Sequence, residues 1–319
     1  MYHKMLVPLD GSELAEVVFT YVKELAGRLD LDVILLQVCP TALKEFIPMQ
    51  KAYMERAAET VKRQSKAVQK KTEFEPEGKP VDVKSELVVG HPADEILRFT
   101  EENDVDLILM ASHGRSGIRR WAMGSVADKI LRASKAPILL VRPEAPAETP
   151  YDKWPSRTII TPLDGTELAE SALAHVEALA KQRGTEPVEV VLLRVSETPA
   201  MPAYFTPELS EVPLNWADYA QQETTRRKRV AAEYLAGIEK RFKDSNINVR
   251  SEVLEGKPTD EIVAYVNKNP FNILVMTTHG RAGLSRWVHA SVAEYVMLGV
   301  LTPILLIGPQ EFEHKNKGE

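Results

Sequence analysis

The sequence predicts an α/β fold written twice: two tandem domains, each a five-stranded parallel sheet with helices on both faces. Three observations lead there. Blocks recur in one order: "PLDGSELAE" (8–16) returns as "PLDGTELAE" (162–170), identical at eight of nine positions, "GHPADEI" (90–96) as "GKPTDEI" (256–262), "HGRSGIRRW" (113–121) as "HGRAGLSRW" (279–287) and "APILLVRP" (136–143) as "TPILLIGP" (302–309). Two copies of roughly 150 residues make a duplicated domain and not a solenoid. Within each copy, short apolar runs alternate with amphipathic stretches, the pattern of βα units. Val33–Leu36 and Leu107–Met110 are apolar without a break, as expected of strands buried on both faces.

Element by element, the first copy predicts strands over Lys4–Leu9, Asp32–Val38, Val81–Val89, Asp106–Ala111 and Ile138–Arg142. Helices are predicted between them over Glu13–Leu29, Gln50–Lys71, Pro92–Glu102 and Ser125–Ser134. Leu14, Val17, Val18, Tyr21, Val22 and Leu25 form the i, i+3, i+4, i+7 stripe of a helix with one buried face. Pro92 and Pro258 suit a first helical turn, where a missing N–H costs nothing. The second copy predicts strands over Thr158–Leu163, Val188–Val195, Asn248–Leu254, Asn272–Thr277 and Ile304–Ile307. The junction "PEAPAETPYDKWPS" holds four prolines and reads as a stiff, extended linker. The expected organisation is therefore domain 1 at 1–142, linker at 143–156, domain 2 at 157–308 and a polar tail at 309–319.

Composition bounds the function. The chain has 319 residues, 44% apolar and 27% charged, enough for two domains with real cores. A net charge of −6 argues against broad nucleic-acid or anionic-membrane binding, which needs a positive field. Cys39 is the single cysteine, so no internal disulfide forms and no zinc spacing exists. The start "MYHKMLVPLDGSE" does not read as a signal peptide, and no apolar run approaches a membrane span. The expected setting is cytoplasmic.

Parallel α/β sheets bind ligands beyond the carboxyl ends of their strands, so the residues just after each strand matter most. After the first strand stands Asp10, repeated as Asp164. Two readings apply: a helix N-cap, with Glu13 and Glu167 completing the capping pattern, or a contact to a sugar, base or cation. After the second strand, Val38 and Val195 offer an apolar wall for an adenine ring, or simply core. After the fourth strand comes "ASHGRSGIRRWAMGS", with His113, Gly114, Gly117 and Gly124 leading to a helix start with Ser125 near its N-cap. Glycines let main-chain N–H groups approach phosphate oxygens, and the positive end of a helix favours an anion. Arg115, Arg119 and Arg120 add charge. Neither GxxxxGK[ST] nor GxGxxG is present. His113 and His279 read as structural, since no nucleophile or carboxylate pair accompanies them.

The blocks "VPLDGSELAE", "VVGHPADEI", "DLILMASHGRSG", "GSVADKIL" and "APILLV", in this order, resemble the universal stress protein domain, and the whole chain resembles a tandem of two. The resemblance implies a sheet of the adenine-nucleotide-binding, Rossmann-like kind. Members that bind ATP share Gly, two residues, Gly, nine residues, Gly, then Ser or Thr. That pattern falls on Ala111, Gly114, Gly124 and Ser125, and in the second copy on Thr277, Gly280, Ala290 and Ser291. The resemblance thus implies a first site of Pro8, Leu9, Asp10, Val38, Met110, Ala111, His113, Gly114, Arg115, Gly117, Gly124, Ser125 and Val126. It implies a degenerate second site of Pro162, Asp164, Val195, Thr277, Gly280, Ala290 and Ser291. Thr277 is β-branched where ribose or phosphate should pass, and Ala290 crowds the helix start. The expectation is ATP or a related adenine nucleotide in the first half, with Mg²⁺ reaching Asp10 only through the nucleotide, and weak or no affinity in the second.

By the same resemblance, the last strands, carrying Val141 and Ile307, pair the copies within one chain, and two chains associate as a homodimer. Residues 196–218, with four prolines, Tyr204, Phe205 and Trp216, read as a lid or as a contact. "RRKR" (226–229) reads as a solvated helix face. The function expected is a stress-response, nucleotide-binding regulatory module. The alternatives are a nucleotide-free interaction scaffold, or an enzyme limited to slow ATP hydrolysis, for which no catalytic residues stand out.

Overall fold

The structure is a computed structural model that describes residues 1–12, 17–40, 45–72, 81–112, 123–142, 158–182, 188–199, 216–268, 272–278 and 292–308. The first half runs β1 (Lys4–Leu9), α1 (Phe19–Leu29), β2 (Asp32–Cys39), α2 (Ile47–Lys71), β3 (Val83–Val89), α3 (Pro92–Glu102), β4 (Leu107–Ala111), α4 (Ser125–Ala133) and β5 (Ile138–Val141). The second runs β6 (Thr158–Pro162), α5 (Glu167–Glu170), α6 (Ala172–Ala180), β7 (Glu189–Ser196), α7 (Trp216–Asp244), β8 (Asn248–Glu255), α8 (Pro258–Asn267), β9 (Asn272–Thr277), α9 (Val292–Gly299) and β10 (Ile304–Ile307).

Each half is parallel throughout, and the strand order is β3-β2-β1-β4-β5-β10-β9-β6-β7-β8. The two five-stranded sheets therefore make one sheet of ten. The seam is β5 against β10, antiparallel, with Leu139 opposite Leu305. This is the last-strand pairing that the resemblance implied. It covers an edge that would otherwise present unpaired main-chain groups.

Helices lie on both faces, over two apolar cores that run through both halves. One holds Tyr21, Leu25, Met54, Val61, Val176, Leu235 and Phe242 with every second strand residue. The other holds Ile96, Ile130, Ile262, Val266 and Val296 with the alternate set. Period-2 strands feeding both faces explain the unbroken apolar runs. Val18, Tyr21, Val22 and Leu25 are buried as the helical stripe requires, while Leu14 lies outside the described residues. Pro92 and Pro258 open α3 and α8 as expected. No helix among the described residues is long and apolar enough to cross a membrane.

Candidate functional site

In each half the strand order reverses beside the first strand, between β1 and β4 and between β6 and β9. Connections leave such neighbours in opposite directions, so a crevice opens at their carboxyl ends. Proline widens it. The Asp106 N–H donates to the Lys4 carbonyl at 3.2 Å, so Lys4, Leu6 and Pro8 turn their main-chain groups toward β4. Pro8 has no N–H to offer, and the β1–β4 ladder pairs only Met5 with Leu107 and Leu6 with Ile108. On its other side β1 stays paired with β2 as far as Leu9 and Gln37. The second half repeats this: the Leu163 N–H bonds the Leu193 carbonyl at 2.8 Å, so Pro162 faces β9, and that ladder ends at Ile160–Leu274.

The residues expected at the site line this edge. Asp10 follows β1, and its Oδ1 accepts from Ser12 N (2.9 Å) and Ser12 Oγ (2.6 Å), with Gly11 at φ +74°. Asp164 makes the same turn, accepting from Thr166 N (2.9 Å) and Thr166 Oγ1 (2.6 Å), with Gly165 at φ +86°. The N-cap reading of Asp164 is corrected: Thr166 caps α5, its Oγ1 accepting from Ala169 N at 3.1 Å. Had Asp164 been the cap, Gly165 would need the negative φ of a first helical residue. The equivalent test for Asp10 and Glu13 falls outside the described residues.

Val38 and Val195 are half-buried, projecting with the core face that carries Met110 and Val126, while Pro8, Ala111, Pro162 and Thr277 are half-buried and Leu9 is buried. Ser112, beyond β4, donates its N–H to the Val141 carbonyl at 2.8 Å, and Thr278 does the same to Ile307 at 2.9 Å. The main chain at the two crevices is thus alike. The difference is the side chain before it, Ala111 against Thr277.

Gly124 is the N-cap of α4 and Ser125 its first helical residue, so Ser125 stands beside the cap as expected. Its φ of −62° and ψ of 144° suit any residue, so torsion does not require a glycine there. Its N–H is engaged by the Ser112 carbonyl at 3.1 Å. The donors left for an anion are the first-turn N–H groups of Ser125, Val126 and Ala127, which precede the first helical bond, from Asp128 N to Gly124 O at 2.9 Å. Among the described residues no side chain caps them. His113, Gly114, Arg115, Gly117, Arg119, Arg120, His279, Gly280, Ala290, Ser291 and most of 196–218 lie outside the described residues. Among the described residues no group of three metal-ligating side chains occurs.

Sequence reasoning missed one feature of the second edge. Arg194, on β7, lays its guanidinium over the Tyr234 ring at 4.7 Å. Its Nη1 lies 2.9 Å from where a Cβ on Gly165 would stand. The Tyr234 hydroxyl donates to Glu170 Oε1 at 2.9 Å. Burial, then this carboxylate, pushes the phenol well above its usual range. The signal was present in the repeat itself, where "LLQVCP" becomes "LLRVSE" and Gln37 becomes Arg194.

A model of the universal stress protein family matches residues 1–142 and 155–308. A universal stress protein of Methanocaldococcus jannaschii is 32% identical over 157 residues, covering 44% of this chain and 96% of that protein. One of Mycobacterium bovis is 25% identical over 226 residues, 71% of this chain and 69% of that protein. Among solved structures, a universal stress protein from Archaeoglobus fulgidus superposes with a TM-score of 0.64 at 19% identity, over 96% of this chain and 98% of that one. That likeness shows the fold.

Proposed function

The chain belongs to the universal stress protein family in both halves, and from that premise we propose that it is a stress-response module that binds an adenine nucleotide, ATP, chiefly in its first half. The observation that supports this best is the crevice at the β1–β4 reversal. There the strands part after Leu6, and Asp10, Val38, Ala111 and the uncapped first turn of α4 share one edge. Val38 would face the base, Asp10 the ribose and base side, and the Ser125–Ala127 N–H groups a phosphate. Any Mg²⁺ would arrive on the nucleotide. Ala111 adds one methyl to the family pattern and leaves room; Thr277 adds a branched side chain at the same main-chain position.

The nucleotide-free scaffold is favoured by one observation, the single ten-stranded sheet that ties the halves together without any ligand. The deciding experiment is mass spectrometry of small molecules released from natively purified protein, alongside Gly124→Val. The expected result is an adenine nucleotide in the wild type and none in the variant. Equal occupancy of both halves would overturn the asymmetry, and an empty wild type that takes up no added ATP would overturn the proposal.

A further inference from the structure

The carboxyl edge of β7 carries a cavity of about 200 Å³ between that strand and α7, lined by Arg194, Ser196, Glu197, Arg226, Arg227 and Val230. Three guanidinium groups border it. Arg226 and Arg227 share one carboxylate, Glu223, with Nε–oxygen distances of 2.7 and 2.8 Å. Arg194 has only the Tyr234 ring, and among the described residues no carboxylate lies within ion-pair distance of it. Ser196 points to the same strand face as Arg194, two residues on. It is 6% exposed, and its Oγ is buried with no hydrogen-bond partner. A buried hydroxyl without a partner is costly in a native structure, and it marks a place where a missing polar group belongs.

The first half shows what changed. The buried stripe Met54, Ala58, Val61, Ser65 of α2 has the spacing of Ala231, Leu235, Ile238, Phe242 of α7. That match sets Met49 and Gln50 opposite Arg226 and Arg227, as the repeat sets Gln37 opposite Arg194. Where the first half has two neutral amides, whose Oε1 atoms are themselves buried and unpartnered, the second has guanidinium groups. Three cavity positions are neutral in one copy and cationic in the other, on a chain of net charge −6.

We propose that this second-half cavity is an oxyanion site, taking a small molecule through a phosphate or carboxylate group. Arg194 supplies the fork donors and Ser196 Oγ completes the set; Arg227, whose Nε is held by Glu223 and whose Nη1 reaches the Glu197 carbonyl at 3.3 Å, adds its Nη2, and Arg226 adds field from the rim. The site is separate from the α4 N-terminus, borders the second crevice through Val195, and does not rest on the nucleotide reading. It makes the second half a receptor for a different anion, in place of a failed copy of the first.

Titration calorimetry of the full chain with inorganic phosphate, and separately with succinate, at ionic strength fixed with chloride, tests this. At least one anion is expected to bind saturably. Affinity should fall about tenfold or more in Arg194→Gln, which installs the first half's residue, and in Arg226→Gln/Arg227→Gln, whose positions are exposed. Ser196→Ala should weaken binding without lowering thermal stability, since it removes an unpartnered hydroxyl. Gly124→Val should leave the arginine-dependent binding unchanged, which separates this site from the first-half crevice. Absence of saturable binding by both anions overturns the proposal. So does binding that survives the arginine variants, or binding that Gly124→Val abolishes.

Discussion

Arg142, at the end of β5 in the first half, donates from Nη2 to the main-chain carbonyls of Met297 (2.6 Å) and Leu298 (2.8 Å) in α9 of the second. A cation at the carboxyl end of a helix meets both its partial negative charge and its unpaired carbonyls. The repeat places Gly308 at the equivalent position, where a Cβ would stand 3.5 Å from the Ser134 carbonyl. The seam is therefore two-fold in its strands and one-sided in this contact. Arg142→Ala should destabilise the chain by about 1.5–3 kcal/mol, the range for hydrogen bonds that involve a charged group. Urea unfolding should show the loss as a shifted midpoint, and splitting into two transitions would mean that Arg142 holds the halves together. An unchanged midpoint would show that the contact contributes nothing.

Glycines inside helices separate close packing from mere tolerance. A Cβ on Gly27 would stand 2.7 Å from Val68 Cβ and 2.8 Å from the Ser65 carbonyl, because α1 and α2 approach closely there. On Gly237 it would meet nothing within 4 Å. Gly237→Ala should therefore stabilise the long helix α7 by roughly 0.5–1 kcal/mol, the usual helix-interior gain. Gly27→Ala should lose at least about 1–3 kcal/mol through overpacking. Paired thermal melts decide it, and equal signs for the two variants would refute the packing argument.

The repeat and the apolar periodicity carried the architecture: ten strands appear where ten were expected, with ends that differ by a residue or two. What periodicity does not carry is direction within a strand. Pro8 was legible as part of a motif, but its role depends on which neighbour its missing N–H faces, and that is fixed by pairing. The helix start after β6 shows a second limit. Asp164 and Glu167 have the spacing of a cap, yet Gly165 at φ +86° pushes the start to Thr166. Local signals overlapped, and the turn decided between them. Arg194 was written in plain view beside Val195. Its neighbours Tyr234 and Gly165 come from elements 40 and 29 residues away in sequence, so only the fold brings them together.

At Gly124 stability and ligand binding should part. The backbone there is extended and its N–H is already bonded to Ser112, so Gly124→Ala should change the unfolding free energy by less than about 0.5 kcal/mol. Its Cβ would nevertheless stand at the start of α4, where the proposed phosphate sits. ATP affinity should drop measurably in fluorescence or calorimetric titration while the melting curve holds. The converse change, Ala111→Thr, imports the second half's residue and should reduce affinity further. Thr277→Ala alone should restore little, since Ala290 remains. Full ATP affinity in Ala111→Thr would refute the role given to that position.

Tyr234 makes a prediction about alkaline pH. Its hydroxyl is half-buried and held by Glu170, so its phenol in the folded chain is raised above the ordinary value of 10.0. The folded state then binds the phenolic proton more tightly than the unfolded state. The stabilisation is fully present below the unfolded value and is lost as pH rises through the folded one, so stability falls with pH above about 10. Tyr234→Phe removes the titrating group and that slope, at the cost of the hydrogen bond to Glu170, about 1 kcal/mol at neutral pH. Urea midpoints of the two proteins should therefore converge between pH 10 and the onset of general alkaline unfolding. A constant gap across that window would show that the phenol titrates normally and that Glu170 does not hold its proton.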